Sequence, residues 1–199
     1  MIVEVYAEHP EPRKIRKAVE ALRDGQVIAY PTDTAYALGC DLHNKAAIER
    51  LYQIKGMDRH QPLAFLCGDL SQVAKYVVVD QPAYRLLKRK LPGPYTFILE
   101  ATREVPKHLH SRRKTVGIRV PAHPLPIALV TELGHPVLAT TAARHGAEPL
   151  LDAHDISLTF PDLGLILDGG IGSSALTTVV DLTQQLVVRQ GAGSIDDLF

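Results

Sequence analysis

The sequence is poor in residues that mark disulfide-rich, metal-binding and membrane-spanning proteins. Its 199 residues include two cysteines and no tryptophan. Cys40 and Cys67 form no CxxC pair, and the nine histidines follow no zinc-ligand spacing, so we expect no metal site. No apolar run approaches the roughly 20 residues of a membrane helix, and residues 1–5 do not resemble a signal peptide. We expect a cytoplasmic protein without membrane contact, with both cysteines as buried free thiols.

The sequence also lacks the motifs of covalent catalysis and of the commonest phosphate-binding loop. There is no GxSxG segment and no Cys-His arrangement, which argues against a covalent acyl-enzyme. The loop at 140–146 is small and rich in hydroxyl groups but has no GK[ST]. His108 and His110 form an HxH pair in a basic segment with no obvious third ligand. The 140–146 loop could still offer backbone N–H groups and hydroxyls to a phosphate.

The whole chain has a formal net charge of zero at pH 7, but its segments are charged. Lys plus Arg and Asp plus Glu each number 22. Residues 81–120 carry ten cations and two acids, whereas residues 121–199 carry two cations and nine acids. If the fold keeps 81–120 together, a positively charged surface could attract phosphate groups. A solvated basic helix over 82–90 would give the same pattern, so both interpretations remain open.

Apolar periodicity predicts helices and strands that alternate along the chain. Helical spacing predicts a helix over 12–24 that ends at Gly25, and Asn44 is a candidate cap for the next helix. The other predicted helices cover 45–54, 70–76, 82–90 and 124–133. The predicted strands cover 27–30, 62–67, 95–100, 115–120, 137–141, 165–167, 177–182 and 186–189. This alternation predicts one α/β domain over 1–199, with a twisted mixed sheet and flanking helices. The final residues, 194–199, resemble the start of a helix.

The most informative segment is 31–40, which reads Pro-Thr-Asp-Thr-Ala-Tyr-Ala-Leu-Gly-Cys. It follows a buried strand and is predicted to open into a loop, with small residues that allow a ligand close to the backbone. Strand ends of this kind bind ligands in open α/β sheets. A polar turn between a strand and a helix would look similar, so the segment needs support from elsewhere.

Two cations lie where a charge needs an explanation. Arg119 interrupts an apolar strand, where an unpaired charge is costly. It either forms a buried salt bridge, for which Asp168 and Asp181 are candidates, or grips a carboxylate or phosphate of a ligand. Lys55 precedes Gly56 at a predicted helix end, where it would either favour the helix dipole or hold an anion over the 31–40 loop.

Taken in order, the segments of nearly the whole chain resemble the YrdC-like family, the threonylcarbamoyl-AMP synthases of tRNA modification. The family pattern Pro-Thr-Glu-Thr-x-Tyr-Gly-Leu-Gly matches 31–39, and Lys-x-Arg followed by Asn-Pro-Leu begins at Lys55 and ends at 61–63. The later matches are Pro-Gly-Pro-x-Thr at 92–96, Arg-x-Pro at 119–121, Ser-x-Asn at 141–143, Asp-Gly-Gly at 168–170, Ser-Thr-Val-x-Asp at 177–181 and Arg-Pro-Gly at 189–191.

The resemblance implies a YrdC-like fold with a positively lined concave surface, and it implies a reaction. L-Threonine, bicarbonate or CO2, and ATP would give threonylcarbamoyl-AMP and pyrophosphate for the t6A modification of tRNA. Mg²⁺ would accompany ATP, and no tightly bound cofactor is implied. Downstream threonylcarbamoyl-transfer proteins would be partners.

The resemblance also implies roles for individual residues. Lys55 would be catalytic, offsetting charge between the carbamate and the phosphate. The residues implied for threonine are Thr34, Arg119, Ala139 and Thr177. The residues implied for the nucleotide are Gln61, Thr115, Thr141 and Arg189.

Several positions depart from the family pattern, and the set resembles the YciO subgroup. Met57 replaces an arginine, Ala143 an asparagine, Leu66 a histidine and Asp33 a glutamate. Two nearby cations that could compensate are Arg59 and Arg144. The alternative hypothesis is therefore a protein that binds tRNA or double-stranded RNA with weak or no synthase activity. A third is an enzyme acting on a different small acid or nucleotide, since the broad fold also resembles dihydroxybutanone-phosphate synthase.

Overall fold

A computed structural model describes residues 1–58, 61–109 and 113–199. Within these ranges one ten-stranded mixed sheet and six α-helices form a single-domain α/β fold, as predicted. The helices are Pro12–Arg23 (α1), Lys45–Lys55 (α2), Leu70–Tyr76 (α3), Gln81–Lys90 (α4), Pro124–Leu133 (α5) and Ala153–Thr159 (α6). The strands are Ile2–Glu4 (β1), Ile28–Tyr30 (β2), Ala37–Asp41 (β3), Ala64–Leu66 (β4), Tyr95–Glu100 (β5), Thr115–Arg119 (β6), Val137–Thr141 (β7), Leu165–Asp168 (β8), Thr178–Asp181 (β9) and Leu186–Arg189 (β10).

The sheet combines distant parts of the chain. Its strand order is β1-β8-β2-β3-β7-β4-β6-β5-β9-β10. The parallel pairs are β1 with β8, β2 with β8, β4 with β6 and β5 with β9, and the other pairs are antiparallel. Strand β6, which carries Arg119, therefore lies inside the sheet between β4 and β5 rather than at an edge.

Two apolar clusters lie on opposite faces of the sheet, because successive strand residues point to alternate sides. In β2, Ala29 joins the cluster under α2, α3, α4 and α6, while Ile28 and Tyr30 join the cluster under α1 and α5. The second face is covered only in part. Beyond the residues packed by α1 and α5, strands β4, β6, β5 and β9 leave an open, concave region on that face.

Helix ends follow the chemistry expected from the sequence. The Asn44 side chain accepts a hydrogen bond from the Ala47 N–H at 3.0 Å and caps α2. Gly56 ends this helix in the left-handed region at φ 64°, where glycine carries no steric penalty. The cap thereby sets the direction in which Lys55, the last residue of α2, leaves the helix.

The expectation of a loop over all of 31–40 was wrong in its second half. Ala37–Asp41 is the buried strand β3, which pairs with β2 and β7, so the loop covers only 31–36. The small residue Gly39 serves packing rather than a ligand. A Cβ there would lie 2.6 Å from Val137 Cγ1 and 2.9 Å from Tyr30 Cε1.

The expected helix at the carboxyl end is also absent. Residues 194–199 are an extended strap with turns, held by the Tyr95 hydroxyl, which donates to Ser194 O, and by Lys90, which donates to Asp196 O. Leu198 is buried in the core and anchors the strap. Strand β1, of three residues, and helix α6, of seven, were not anticipated.

Edge strand β10 contains an irregularity that bears on the site. Val187 pairs with Val180, but Arg189 rather than Val188 pairs with Val179. This bulge places Arg189 beside Val179, on the side of the sheet that is open. Both cysteines are buried free thiols, as expected. Among the described helices, none is both long and apolar enough to cross a membrane.

Candidate functional site

The open region of the sheet forms a first cavity of about 450 Å³. Its floor consists of Ala139, Ala64 and Gly117, which lie in register on the adjacent strands β7, β4 and β6. Larger side chains at these positions would fill the space above the sheet, so the three small residues create its depth. The rim carries polar groups, among them Arg119, Thr177 and Arg189.

Arg119 is nine-tenths buried, and its carboxylate partner is Asp33. The Arg119 Nη2 donates to Asp33 Oδ1 at 2.6 Å, and the second Asp33 oxygen accepts from the Ala122 N–H at 3.1 Å. The expected partners, Asp168 and Asp181, were wrong. Asp181 pairs with Arg113 at 2.9 Å, and Asp168 accepts from the Gly170 N–H.

The two threonines of the 31–36 loop complete the shell around this guanidinium. Arg119 Nη2 also points to Thr32 Oγ1 at 3.1 Å and to Thr34 Oγ1 at 2.7 Å. Thr32 donates its hydroxyl hydrogen to Ala35 O at 2.8 Å, and its Oγ1 lies 3.2 Å from Thr34 Oγ1. The hydroxyl hydrogen of Thr32 is therefore committed inside the protein.

Arg119 keeps donor capacity that the described residues do not use. Its Nε is fully buried without a hydrogen-bond partner in the described part of the chain. Its Nη1 has no partner there either, is not fully buried, and belongs to a side chain that lines the first cavity. A ligand acceptor would meet Nη1 first.

Thr177 and Arg189 form the opposite side of the first cavity. Arg189 Nε and Nη2 donate to Thr177 O at 3.1 and 3.0 Å, and Nη2 also donates to Thr177 Oγ1. Thr96 donates its hydroxyl to the same Oγ1 at 3.2 Å. Thr177 Oγ1 thus accepts twice, which leaves its own hydrogen for a ligand. Burial and the positive charge of Arg119 lower the pKa of Arg189.

A second cavity of about 370 Å³ adjoins the first and shares Thr140, Thr141 and Arg189 with it. Lys55 lines it and donates from Nζ to Thr141 O at 2.8 Å and to Ala143 O at 2.6 Å. Burial lowers the pKa of Lys55 to about 8. Within the described ranges, neither Lys55 nor Arg189 forms an ion pair with a carboxylate.

The structure brings most of the anticipated site residues together. The first cavity is lined by Arg119, Ala139, Thr177, Thr115, Thr141 and Arg189. The second is lined by Lys55, Gln61, Thr141, Arg144 and Arg189. Thr34 is not part of either lining and accepts a hydrogen bond from Arg119. Their proposed ligand roles stay predictions.

The residues that depart from the family pattern lie where they can matter. Leu66 lines the first cavity, whereas Met57 and Ala143 line the second. Of the two cations that could compensate, Arg59 lies outside the described residues, as does His110 of the HxH pair. Arg144 lines the second cavity but is exposed and donates from Nη2 to Thr159 O at 3.2 Å.

Sequence reasoning missed three residues of the site. Arg113 and Thr96 line the first cavity. Arg113 belongs to the basic segment 81–120, which was interpreted only as a charged surface. Thr96 ends the Pro-Gly-Pro-x-Thr match at 92–96, which was used only to recognise the family. Tyr36 was noted in the loop, but not its role. Its hydroxyl donates to Gly170 O and accepts from the Gly169 N–H, which ties the glycine turn to the cavity wall.

Comparison with known proteins identifies the family. A model of the Sua5/YciO/YrdC family, described as telomere recombination, matches residues 20–191. The protein YciO of Escherichia coli, itself uncharacterised, is 41% identical over 196 residues, which cover 96% of this chain and 95% of that protein. A threonylcarbamoyl-AMP synthase of Chromobacterium violaceum is 38% identical over 182 residues, which cover 90% of this chain and 94% of that enzyme.

Solved structures agree with this assignment. The crystal structure of E. coli YciO superposes with a TM-score of 0.94 at 40% identity and covers 98% of both chains. The structure of P. abyssi Sua5 complexed with L-threonine gives a TM-score of 0.89 at 30% identity, covering 96% of this chain and 57% of that longer one. The resemblance drawn from the motifs is confirmed: the chain belongs to the Sua5/YciO/YrdC family.

Proposed function

We propose that the protein is a nucleotidyltransferase that makes threonylcarbamoyl-AMP from L-threonine, bicarbonate or CO2, and ATP, and releases pyrophosphate. The observation that carries the proposal is the surplus of hydrogen-bond donors and cations at the two joined cavities. Arg119 Nη1, the Thr177 hydroxyl, Lys55 and Arg189 all face ligand space without a carboxylate to compensate the last two. Such a site favours a substrate with several negative charges.

The reaction joins two anions, which explains why cations are needed at both ends. N-carboxylated threonine attacks the α-phosphorus of ATP through a carbamate oxygen. The new O–P bond forms as the bond from Pα to the bridging oxygen of pyrophosphate breaks, and pyrophosphate leaves with that electron pair. Positive groups that hold both reactants lower their mutual repulsion and fix their approach.

The cavities suggest how this chain's residues would share the task. Arg119 Nη1 and the Thr177 hydroxyl would bind the threonine end in the first cavity. Lys55, Arg189 and the Thr141 region would bind phosphates and nucleotide in the second, with Gln61 beside them and Thr115 contributing from the first cavity. Mg²⁺ would arrive with ATP as part of the substrate, held by phosphate oxygens. Product would pass to cytoplasmic proteins that modify tRNA.

A second candidate function is binding of tRNA or double-stranded RNA with weak or no synthase activity. Met57 and Ala143 favour it, because both put apolar groups on the wall of the second cavity beside Lys55. Fewer polar groups there would weaken the grip on phosphates during transfer.

The test is pyrophosphate release from ATP by the purified protein, with and without L-threonine and bicarbonate, and mass spectrometry of the adenylate. Threonine-dependent pyrophosphate together with threonylcarbamoyl-AMP would support the synthase. A folded protein without turnover, but with RNA affinity that falls steeply as salt increases, would favour the second candidate.

A further inference from the structure

We propose that Asp33 is a positioning residue that restricts Arg119 to a one-point contact with the acid substrate. The inference rests on the proposed function and concerns the same site. It starts from an unusual distribution of hydrogen bonds on one guanidinium. Three acceptors, Thr32, Asp33 and Thr34, all lie on Nη2, at 3.1, 2.6 and 2.7 Å.

The geometry of arginine gives this crowding a consequence. A guanidinium can bind a carboxylate with two parallel hydrogen bonds either end-on, through Nη1 and Nη2, or side-on, through Nε and Nη2. Both arrangements require Nη2. Since Nη2 is taken by the protein and Nε is fully buried, a ligand carboxylate in the first cavity can reach Nη1 alone.

Asp33 is the group that holds this arrangement. It is the carboxylate paired with Arg119, and both side chains are only 11% exposed. Its second oxygen accepts from the Ala122 N–H, three residues beyond Arg119, so the carboxylate is fixed at both oxygens. The charge of Arg119 is therefore already balanced within the protein. A ligand carboxylate binds to it less tightly than it would bind to an unpaired guanidinium.

Restricted contact would serve turnover rather than affinity. Two-point binding of the acid that stabilises the bound substrate more than the transition state lowers KM and kcat together. A single contact at Nη1 leaves the threonine end free to bring its carbamate oxygen toward the α-phosphate.

The variant Asp33→Asn tests this, because it keeps the size of the side chain and removes its charge. Isothermal titration should show L-threonine binding about tenfold tighter than to the wild type, because a carboxylate of the protein no longer balances the charge of Arg119. L-Threonine amide, which lacks the carboxylate, should show no such gain. In steady-state assays KM for threonine should fall and kcat should fall with it.

Asp41→Asn is the matched control. Asp41 is a similarly buried carboxylate at the other end of β3, close to His135 and away from both cavities. It should leave threonine affinity unchanged. A purely structural role for Asp33 would give the opposite sign, with weaker threonine binding in Asp33→Asn, and that result or an unchanged affinity would overturn the inference.

The design separates failure of the inference from failure of the proposed function. If the wild type does not bind threonine at all, the proposed substrate is wrong. The inference is then judged by the rise in melting temperature that acetate produces in wild type and Asp33→Asn. A larger rise in the variant supports the restriction of Arg119, and equal rises contradict it.

Discussion

The two ends of the site differ in whether a carboxylate compensates their positive charge. At the end proposed for threonine (the threonine end), Arg119 is paired with Asp33 and surrounded by hydroxyl groups that the protein itself supplies. At the end proposed for the nucleotide (the nucleotide end), the Lys55 ammonium donates to the backbone carbonyls of Thr141 and Ala143 and pairs with no carboxylate in the described ranges. The charge at the first end is balanced within the protein, whereas no carboxylate among the described residues balances the charge at the second. We therefore expect the binding energy for the proposed reaction to come mainly from the phosphates.

The largest effect should follow removal of the charge at the nucleotide end. Lys55→Met keeps the length of the side chain but removes its charge, and we expect pyrophosphate formation to fall by about 100-fold or more, since the lost cation faces charge that develops during transfer. Lys45→Met, at the exposed start of the same helix, is the control. Equal activity of Lys55→Met and wild type would contradict the proposed role of the Lys55 charge.

The threonine end should dominate stability instead. Arg119→Ala leaves the carboxylate of Asp33 nearly buried without its partner, which should lower the free energy of unfolding by about 3 kcal/mol. Urea denaturation would measure it. The double variant Arg119→Ala, Asp33→Ala should recover part of the loss, because no unpaired charge remains. Lys55→Met, which strands no carboxylate, should cost less than Arg119→Ala.

Adding a cation to the nucleotide end should increase the difference in uncompensated positive charge between the two ends. Met57 is partly buried at the wall of the second cavity, directly after the cap of α2. Met57→Arg should tighten ATP binding by about tenfold through a new charge-assisted contact with phosphate. Met57→Gln, which is of similar length and uncharged, should give little gain. Titration of both variants with ATP would measure this, and equal affinities would show that charge is not limiting there.

The pH dependence should also come from the nucleotide end. Burial lowers the pKa of Lys55 to about 8 from its ordinary 10.5, so ATP affinity should decline as the pH rises through about 8 and the ammonium is lost. For folding the sign is reversed: a lowered pKa makes the folded state relatively more stable as the pH rises from about 8 toward 10.5.

Titration calorimetry with ATP between pH 7 and 9.5 measures the first effect. In Lys55→Arg the decline should disappear, since an arginine stays charged over this range. A decline that persists in this variant would assign the titration to another group.

The smallest effect should be at Arg144. Its guanidinium is exposed and donates to Thr159 O at the end of α6, so it does not have the position of a phosphate ligand. Arg144→Ala should change ATP affinity less than twofold, in line with the low worth of exposed charges. A loss of tenfold would instead establish Arg144 as the compensating cation.

Periodicity and turn chemistry predicted most elements, and the ordered motifs predicted which side chains would meet. Their limits are physical. Ala37–Asp41 was taken for a loop because alanine and glycine are poor indicators of a strand, and only pairing with β2 and β7 makes it one. Asp33 was missed as the partner of Arg119, because 86 residues separate the two and a sequence does not show which of several acids the fold brings near.

The bulge in β10 affects when the cavity can form during synthesis and folding of the chain. Arg189 reaches the cavity only when β10 is paired with β9 and β9 is paired with β5, and the hydrogen bonds of the site join residues up to 134 positions apart. A chain still emerging from the ribosome cannot assemble this cavity before residue 189 is available. A substrate that needs the complete cavity can bind only the fully folded domain. Substrate binding therefore stabilises the folded state and not a partly folded chain.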